Sequence, residues 1–195
     1  MFGLWIAWAL YWVVSARGAK RTRRRESLAS RLSHVLPLAA GVALIAWPHH
    51  PGKSWTWAGW MSWQLVPPGP LRLGSALALT VAGLAFTVWA RMHLGGNWSG
   101  TVTLKEGHEL IRTGPYGWVR HPIYSGLLLA LLGSALACGE LRALIGLAVV
   151  TAAFGRKLLI EERFMRESFP EQYHEYCAEV PALIPFPRPR RSAPR

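Results

Sequence analysis

The chain has 195 residues, 51% of them hydrophobic and 11 of them Trp, with a formal charge of +12 from 22 Lys and Arg against ten Glu and no Asp. A basic soluble domain would point to nucleic acid, but here the charge is grouped between long apolar runs, which argues against that class and for a membrane protein. Two cysteines are too few for a disulfide framework or a Cys-based metal site.

Taken in chain order, five apolar runs are candidate membrane spans. Phe2 to Ala16 comes first, with Trp5, Trp8 and Trp12 at helical spacing on one face. A cleaved secretory leader is not expected there, because the basic run Arg17 to Arg25 follows the apolar segment instead of preceding it. That basic run reads as a stop-transfer and lipid-headgroup anchor. The second run, Val35 to Trp47, leads into a segment with Trp55, Trp57, Trp60 and Trp63 before Pro67, Pro68 and Pro70, which reads as an interfacial belt. Leu73 to Ala90 and Ile123 to Gly139 carry no charge over 18 and 17 residues, close to the roughly 20 needed to cross about 30 Å of hydrocarbon. Leu141 to Ile160 is interrupted only near its ends, by Arg142, Arg156 and Lys157, which are expected to snorkel.

Charge placement gives an orientation. With the N-terminus outside, Arg17 to Arg31, Arg91 to Arg120 and Arg156 to Arg195 face the cytoplasm and hold 19 of the 22 Lys and Arg, as the positive-inside rule requires. Nine of the ten Glu lie on that side, so the polar chemistry is expected there. The expected fold class is therefore an all-α integral membrane protein of about five transmembrane helices in a single domain, 1–195. Residues 1–70 supply two spans, a basic cytoplasmic loop and the outer Trp-rich segment; residues 71–195 supply three spans, a cytoplasmic cofactor pocket and a C-terminal cap. Cys138 and Cys177 then lie at opposite faces and cannot pair.

The chemistry concentrates in Gly114 to Gly126, Gly-Pro-Tyr-Gly-Trp-Val-Arg-His-Pro-Ile-Tyr-Ser-Gly, which joins a polar segment to the fourth span. Pro122 suits the first position of a helix, and the residue before a proline is pushed from helical angles, so His121 is expected in the cap. Free N–H groups at that helix start, with Arg120 alongside, make an anion site. The bland alternative is that Arg120 binds lipid phosphate and His121 merely caps. Gly114-Pro115 makes a turn that lets His108 fold back towards the site. On the next helix Glu161 and Glu162 point about 100° apart, so one is expected to face the site and the other solvent; an ion pair of Lys157 with Glu161 is the ordinary reading of that pair. Carboxylates near an anion site suit a zwitterionic, amino-acid-like ligand. The seven His show no paired ligand spacing near a carboxylate cluster, so no metal is expected. Gly95, Gly96 and Gly100 do not spell a dinucleotide-binding loop.

From about Leu94 to Phe186 the chain resembles the isoprenylcysteine carboxyl methyltransferase family, relatives of the phospholipid methyltransferases. The matching pieces are Gly-Gly-Asn-Trp-Ser at Gly95 to Ser99, His108-Glu-Leu, the Gly114 to Gly126 block, Glu161-Glu162-Arg163, Tyr173 with Tyr176, and Val-Pro-Ala-Leu-Ile-Pro at Val180 to Pro185. The resemblance implies an integral membrane enzyme of inner or plasma-membrane type. It uses S-adenosyl-L-methionine, releases S-adenosyl-L-homocysteine, and takes a lipophilic or prenylated substrate from the bilayer, without metal or nucleic acid. Carried over by motif, His108, Leu110, Gly114, Pro115, Tyr116, Val119, Arg120, His121, Tyr124, Glu161 and Glu162 surround the cofactor. Arg120, His121 and Arg163 are the implied catalytic residues, with Arg163 a candidate for holding the substrate, and the Leu-Ile-Pro end folds over as a lid. An acceptor carboxylate, already ionised, needs a cation; a thiol or amine needs a base such as His; the sequence leaves these open. Two other readings remain at this point, a membrane NADPH-dependent reductase of the sterol or steroid type and a non-catalytic membrane component that keeps the fold.

Overall fold

The computed structural model describes residues 1–18, 22–47, 57–98, 103–105 and 110–186. All five expected apolar runs are helical: α1 (Phe2–Ser15), α2 (Leu28–Ala46), α4 (Pro70–Leu94), α5 (Pro122–Cys138) and α6 (Leu141–Ser168), with short α3 (Trp57–Met61) and amphipathic α7 (Pro170–Glu179) between and after them. The chain is an all-helical integral membrane protein. Helices α2, α4 and α6, of 19, 25 and 28 residues, are long and apolar enough to cross a membrane, whereas α1 and α5 stop at 14 and 17. At 1.5 Å per residue α6 reaches about 42 Å, more than the hydrocarbon needs, so its C-terminal turns project as a polar stalk. That stalk carries Glu161, Glu162 and Arg166.

Small residues set the packing. Along α4, Ala76, Thr80, Gly83, Thr87 and Ala90 recur every three or four positions and are buried, and they face Gly126, Ala130 and Gly133 of α5. A β-carbon on Gly83 would stand 2.5 Å from the Gly126 carbonyl oxygen, and one on Gly126 would stand 2.6 Å from that of Gly83. In hydrocarbon, where apolar burial gives helices no reason to associate, such backbone contact is what holds them together. The same device joins α2 to α6, where β-carbons on Gly41 and Gly146 would meet each other's carbonyls at 2.7 and 2.6 Å.

Helix α1 is attached through its Trp face. The indole N–H of Trp5 donates to Ser134 Oγ at 3.1 Å and that of Trp8 to Thr87 Oγ1 at 2.7 Å. Trp8 stacks on Trp12, and Trp12 meets Trp98 edge-on. The buried Arg91 guanidinium lies 4.5 Å over the Trp98 ring and donates to the carbonyls of Ser15 and Gly95.

One sequence expectation is corrected here. Arg142 does not snorkel: it is buried, with Nε 2.6 Å from Glu140 Oε2 and Nη1 2.7 Å from the Leu44 carbonyl oxygen, so its charge is compensated inside the protein. Beside the helices, a short two-stranded ribbon pairs Thr22–Arg25 antiparallel with Thr103–Lys105. These polar connections leave main-chain groups that need partners, and the ribbon supplies them. Of the Trp-rich segment, Trp55 lies outside the described residues, while Trp60 and Trp63 are each 64% exposed. Cys138 and Cys177 are both free thiols.

Candidate functional site

The candidate site is assembled where α5 begins. Gly114 adopts φ +58°, a left-handed conformation natural to glycine, and opens a short 3-10 turn, Gly114–Gly117. Under it lies His93: a β-carbon on Gly114 would fall 2.7 Å from the His93 ring, whose Nε2 is 2.7 Å from Thr113 Oγ1. The turn buries Pro115, Tyr116 and Val119 and delivers Arg120 and His121 to the start of α5. His121 is the N-cap and Pro122 the first helical residue, as proline geometry predicts.

His121 sits between the two carboxylates of the neighbouring helix. Its Nδ1 is 3.6 Å from Glu161 Oε2 and its Nε2 is 3.4 Å from Glu162 Oε1. The expectation that one Glu would turn to solvent is therefore corrected: their angular separation on α6 lets them straddle one ring. Glu161 also accepts from the Tyr124 hydroxyl at 2.5 Å and lies 4.0 Å from Lys157 Nζ. Glu162 accepts from Arg120 Nε at 3.0 Å and Nη2 at 2.5 Å, and its other oxygen accepts from Arg166 at 2.9 Å. Arg166 was not anticipated; its position one turn after Glu162 is the signal that finds it. The rings of His121, Tyr124 and Phe154 stack in series, and Lys157 lies 5.3 Å over Tyr124.

The C-terminal segment closes over this point. The amide of Arg120 donates to the Pro181 carbonyl at 2.8 Å and that of His121 to Ala182 at 3.0 Å; Arg120 Nη1 donates to Val180 O at 2.6 Å and Ser125 Oγ to Leu183 O at 2.6 Å. The amides of Arg120 and His121, just before α5, are thus taken by backbone carbonyls, and Arg120 holds the carboxylate of Glu162. Helix α7 keeps the segment in place. Tyr176 donates to the Tyr116 carbonyl at 2.6 Å, Tyr173 and Tyr176 are buried, and Arg112 reaches the Gln172 carbonyl and Glu175. Leu110 packs against that aromatic pair. Burial raises the pKa of Tyr116, Tyr173 and Tyr176 well above the usual value, so all three hydroxyls stay neutral.

Burial disfavours the charged form of His121, but the carboxylates of Glu161 and Glu162 outweigh it and raise its pKa above 6.5. A folded-state pKa above the unfolded one stabilises the fold fully below about pH 6.5, and the gain is lost as pH rises through the raised value. Thermal midpoints in detergent are expected to fall over that window, and His121→Gln is expected to abolish this part of the slope. An unchanged slope in the variant would show that another group titrates.

Among the sequence-predicted residues, Tyr116, Arg120, His121, Tyr124, Glu161 and Glu162 converge, with Leu110, Gly114, Pro115 and Val119 forming the supporting turn and its contact with α7. Arg163 does not join them; it lines a separate groove between α2 and α6. His108 lies outside the described residues.

The segment that builds most of this cluster, residues 76–167, matches the model of the Isoprenylcysteine carboxyl methyltransferase family. Over that segment the chain is similar to this family. A probable protein-S-isoprenylcysteine O-methyltransferase of Oryza sativa subsp. indica is 32% identical over 111 residues, 56% of this chain and 53% of the relative. The protein-S-isoprenylcysteine O-methyltransferase of Saccharomyces cerevisiae is 33% identical over 105 residues, 52% of this chain and 44% of the relative. The cobalt-zinc-cadmium resistance protein CzcN of Cupriavidus metallidurans is 33% identical over 131 residues, 66% of this chain and 53% of the relative. The chain spans about half the length of the curated relatives it matches. A solved structure of the eukaryotic intramembrane Ras methyltransferase superposes with a TM-score of 0.52 over 82% of this chain and 50% of the other, at 21% identity. At that identity it establishes the shared fold. Every side chain around His121 from Tyr116 to Arg166 falls within the matched segment, whereas the C-terminal segment and α7 extend beyond it.

Proposed function

We propose that this chain is an integral membrane methyltransferase that moves a methyl group from S-adenosyl-L-methionine to a lipophilic acceptor reached from the bilayer. The proposed acceptor atom is a carboxylate oxygen, with a thiol or amine as the variants the residues also permit. The observation that carries the reading is the His121 ring held between Glu161 and Glu162 under the C-terminal segment.

The residues fit a zwitterionic cofactor. The carboxylates of Glu161 and Glu162 suit an ammonium that competes with their present partners, while Arg120, Lys157, Arg166 and protonated His121 give the cluster a surplus of positive charge suited to a carboxylate. His121 Nε2 is buried and, among the described residues, makes no hydrogen bond of good geometry although it lies 3.4 Å from Glu162 Oε1. When bound, the cofactor supplies an electrophilic methyl on a sulfonium, and no metal or covalent nucleophile is needed. What this chain supplies is alignment and exclusion of water. Arg120, pinned by Glu162 and Val180, acts as a positioning residue that fixes the wall of the site. The stacked rings of His121, Tyr124 and Phe154 and the segment 180–183 screen the carboxylates from solvent.

We place the cluster at the cytoplasmic face with the N-terminus outside, because Arg17–Arg31 and the C-terminal half of α6 then share the positively charged side. The test of function is transfer of labelled methyl by the full chain in detergent or nanodiscs to a panel of lipophilic carboxylates, thiols and amines, prenylcysteine analogues included. Label in at least one acceptor, abolished by Glu162→Gln, is the expected result. No transfer to any class by a folded chain would count against the proposal.

A further inference from the structure

A second polar site lies on the opposite face of the α6 stalk. The groove, of about 820 Å³, lies between the start of α2 and α6 and is lined by Glu26, Ser27 and Ser30 on one wall and Arg156, Arg163 and Arg166 on the other. Its acids are committed: Glu26 accepts from Ser30 Oγ at 2.9 Å and lies 3.6 Å from His34 Nε2, and Glu167 also has a partner. The arginines are less so. Arg166 reaches away to Glu162, Arg156 makes one 3.4 Å contact with Ser33 Oγ, and Arg163 makes no ion pair or hydrogen bond among the described residues.

Two features single out a lipid as the occupant. The groove presents three guanidinium groups against two carboxylates that already have partners, and a phosphodiester is the anion that forked guanidinium groups bind well. It also carries bare apolar surface, with Leu159 of its lining 63% exposed and Leu28, next to Ser27 in sequence, 72% exposed, in the region where a polar stalk leaves the hydrocarbon. A headgroup phosphate among the arginines with acyl chains along Leu159 satisfies both. We propose that this groove binds the headgroup of an anionic phospholipid from the leaflet around the stalk, separately from the His121 cluster and whatever reaction that cluster performs.

The test is calorimetric titration of the detergent-purified full chain with dihexanoyl-phosphatidylglycerol below its micellar concentration. Saturable binding is expected, about fivefold weaker in Arg163→Gln and about thirtyfold weaker in R156Q/R163Q, the equivalent of roughly 1 kcal/mol per basic side chain. R156K/R163K should keep most of the affinity. Arg163 has no ion pair or hydrogen bond to lose among the described residues, so the single variant is expected to fold, and circular dichroism checks it. Equal binding of dihexanoyl-phosphatidylcholine, unchanged affinity in Arg163→Gln, or inorganic phosphate binding as tightly as the lipid would each overturn the proposal.

Discussion

Replacing Glu162 by Ala is expected to destabilise the protein by about 3–5 kcal/mol, the usual cost of removing one partner from a buried ion pair. The carboxylate is 5% exposed, takes two hydrogen bonds from Arg120, and lies 3.4 Å from His121. Its loss leaves a guanidinium buried beside an imidazolium with only Glu161 to compensate. Arg166, 60% exposed, loses little because water takes over. The damage also spreads to the C-terminal segment, since Arg120 Nη1 holds Val180. Thermal unfolding in detergent measures the effect, and faster exchange of the Arg120 and His121 amides, whose acceptors are Pro181 and Ala182, reports release of the segment. A loss under 1 kcal/mol would mean that the pair is solvated. Glu162→Gln keeps the volume and is expected to be milder in stability.

The second large effect lies at the α4–α5 crossing. Gly126→Val is expected to cost about 3 kcal/mol or more, because the nearest obstacle to a β-carbon is the Gly83 carbonyl, a main-chain atom that cannot rotate away. Even Gly126→Ala should lower the midpoint, since its β-carbon meets Gly83 O and Thr87 Cγ2, each at 2.6 Å. Gly155→Ala on α6 is the control: nothing lies within 4 Å of its β-carbon, so substitution there should be neutral or stabilise by about 0.4–1 kcal/mol. Equal destabilisation at both sites would show that intrinsic helix effects, and not helix contact, dominate.

These features differ in how far the sequence exposes them. The apolar runs are visible because hydrocarbon imposes length and composition. The cap at His121 is visible because proline constrains its own and the preceding residue's angles. The approach of Glu161 and Glu162 to Arg120 and His121 follows from ionisable residues at the ends of two neighbouring spans. Hidden were the distribution of contacts within that cluster and the partners supplied by main chain. Nothing in Val-Pro-Ala-Leu says that its carbonyls take the amides of Arg120 and His121, because every residue carries a carbonyl. Arg163 illustrates the same limit: adjacent to Glu162 in sequence, it is turned about 100° away on the helix and opens onto another groove. The pairing of Arg142 with Glu140 was hidden for a different reason, since a charge near a span end reads as snorkelling unless its partner is known.

The central claim is that the His121 cluster is a binding site for a sulfonium cofactor. Calorimetric titration of the full chain in detergent with S-adenosyl-L-homocysteine tests it most directly. One-site binding is expected, weakened at least tenfold in Arg120→Ala and in Glu162→Gln and little changed in Arg163→Gln. Absence of binding by folded protein would contradict the account, and binding left intact in both Arg120→Ala and Glu162→Gln would move the site elsewhere.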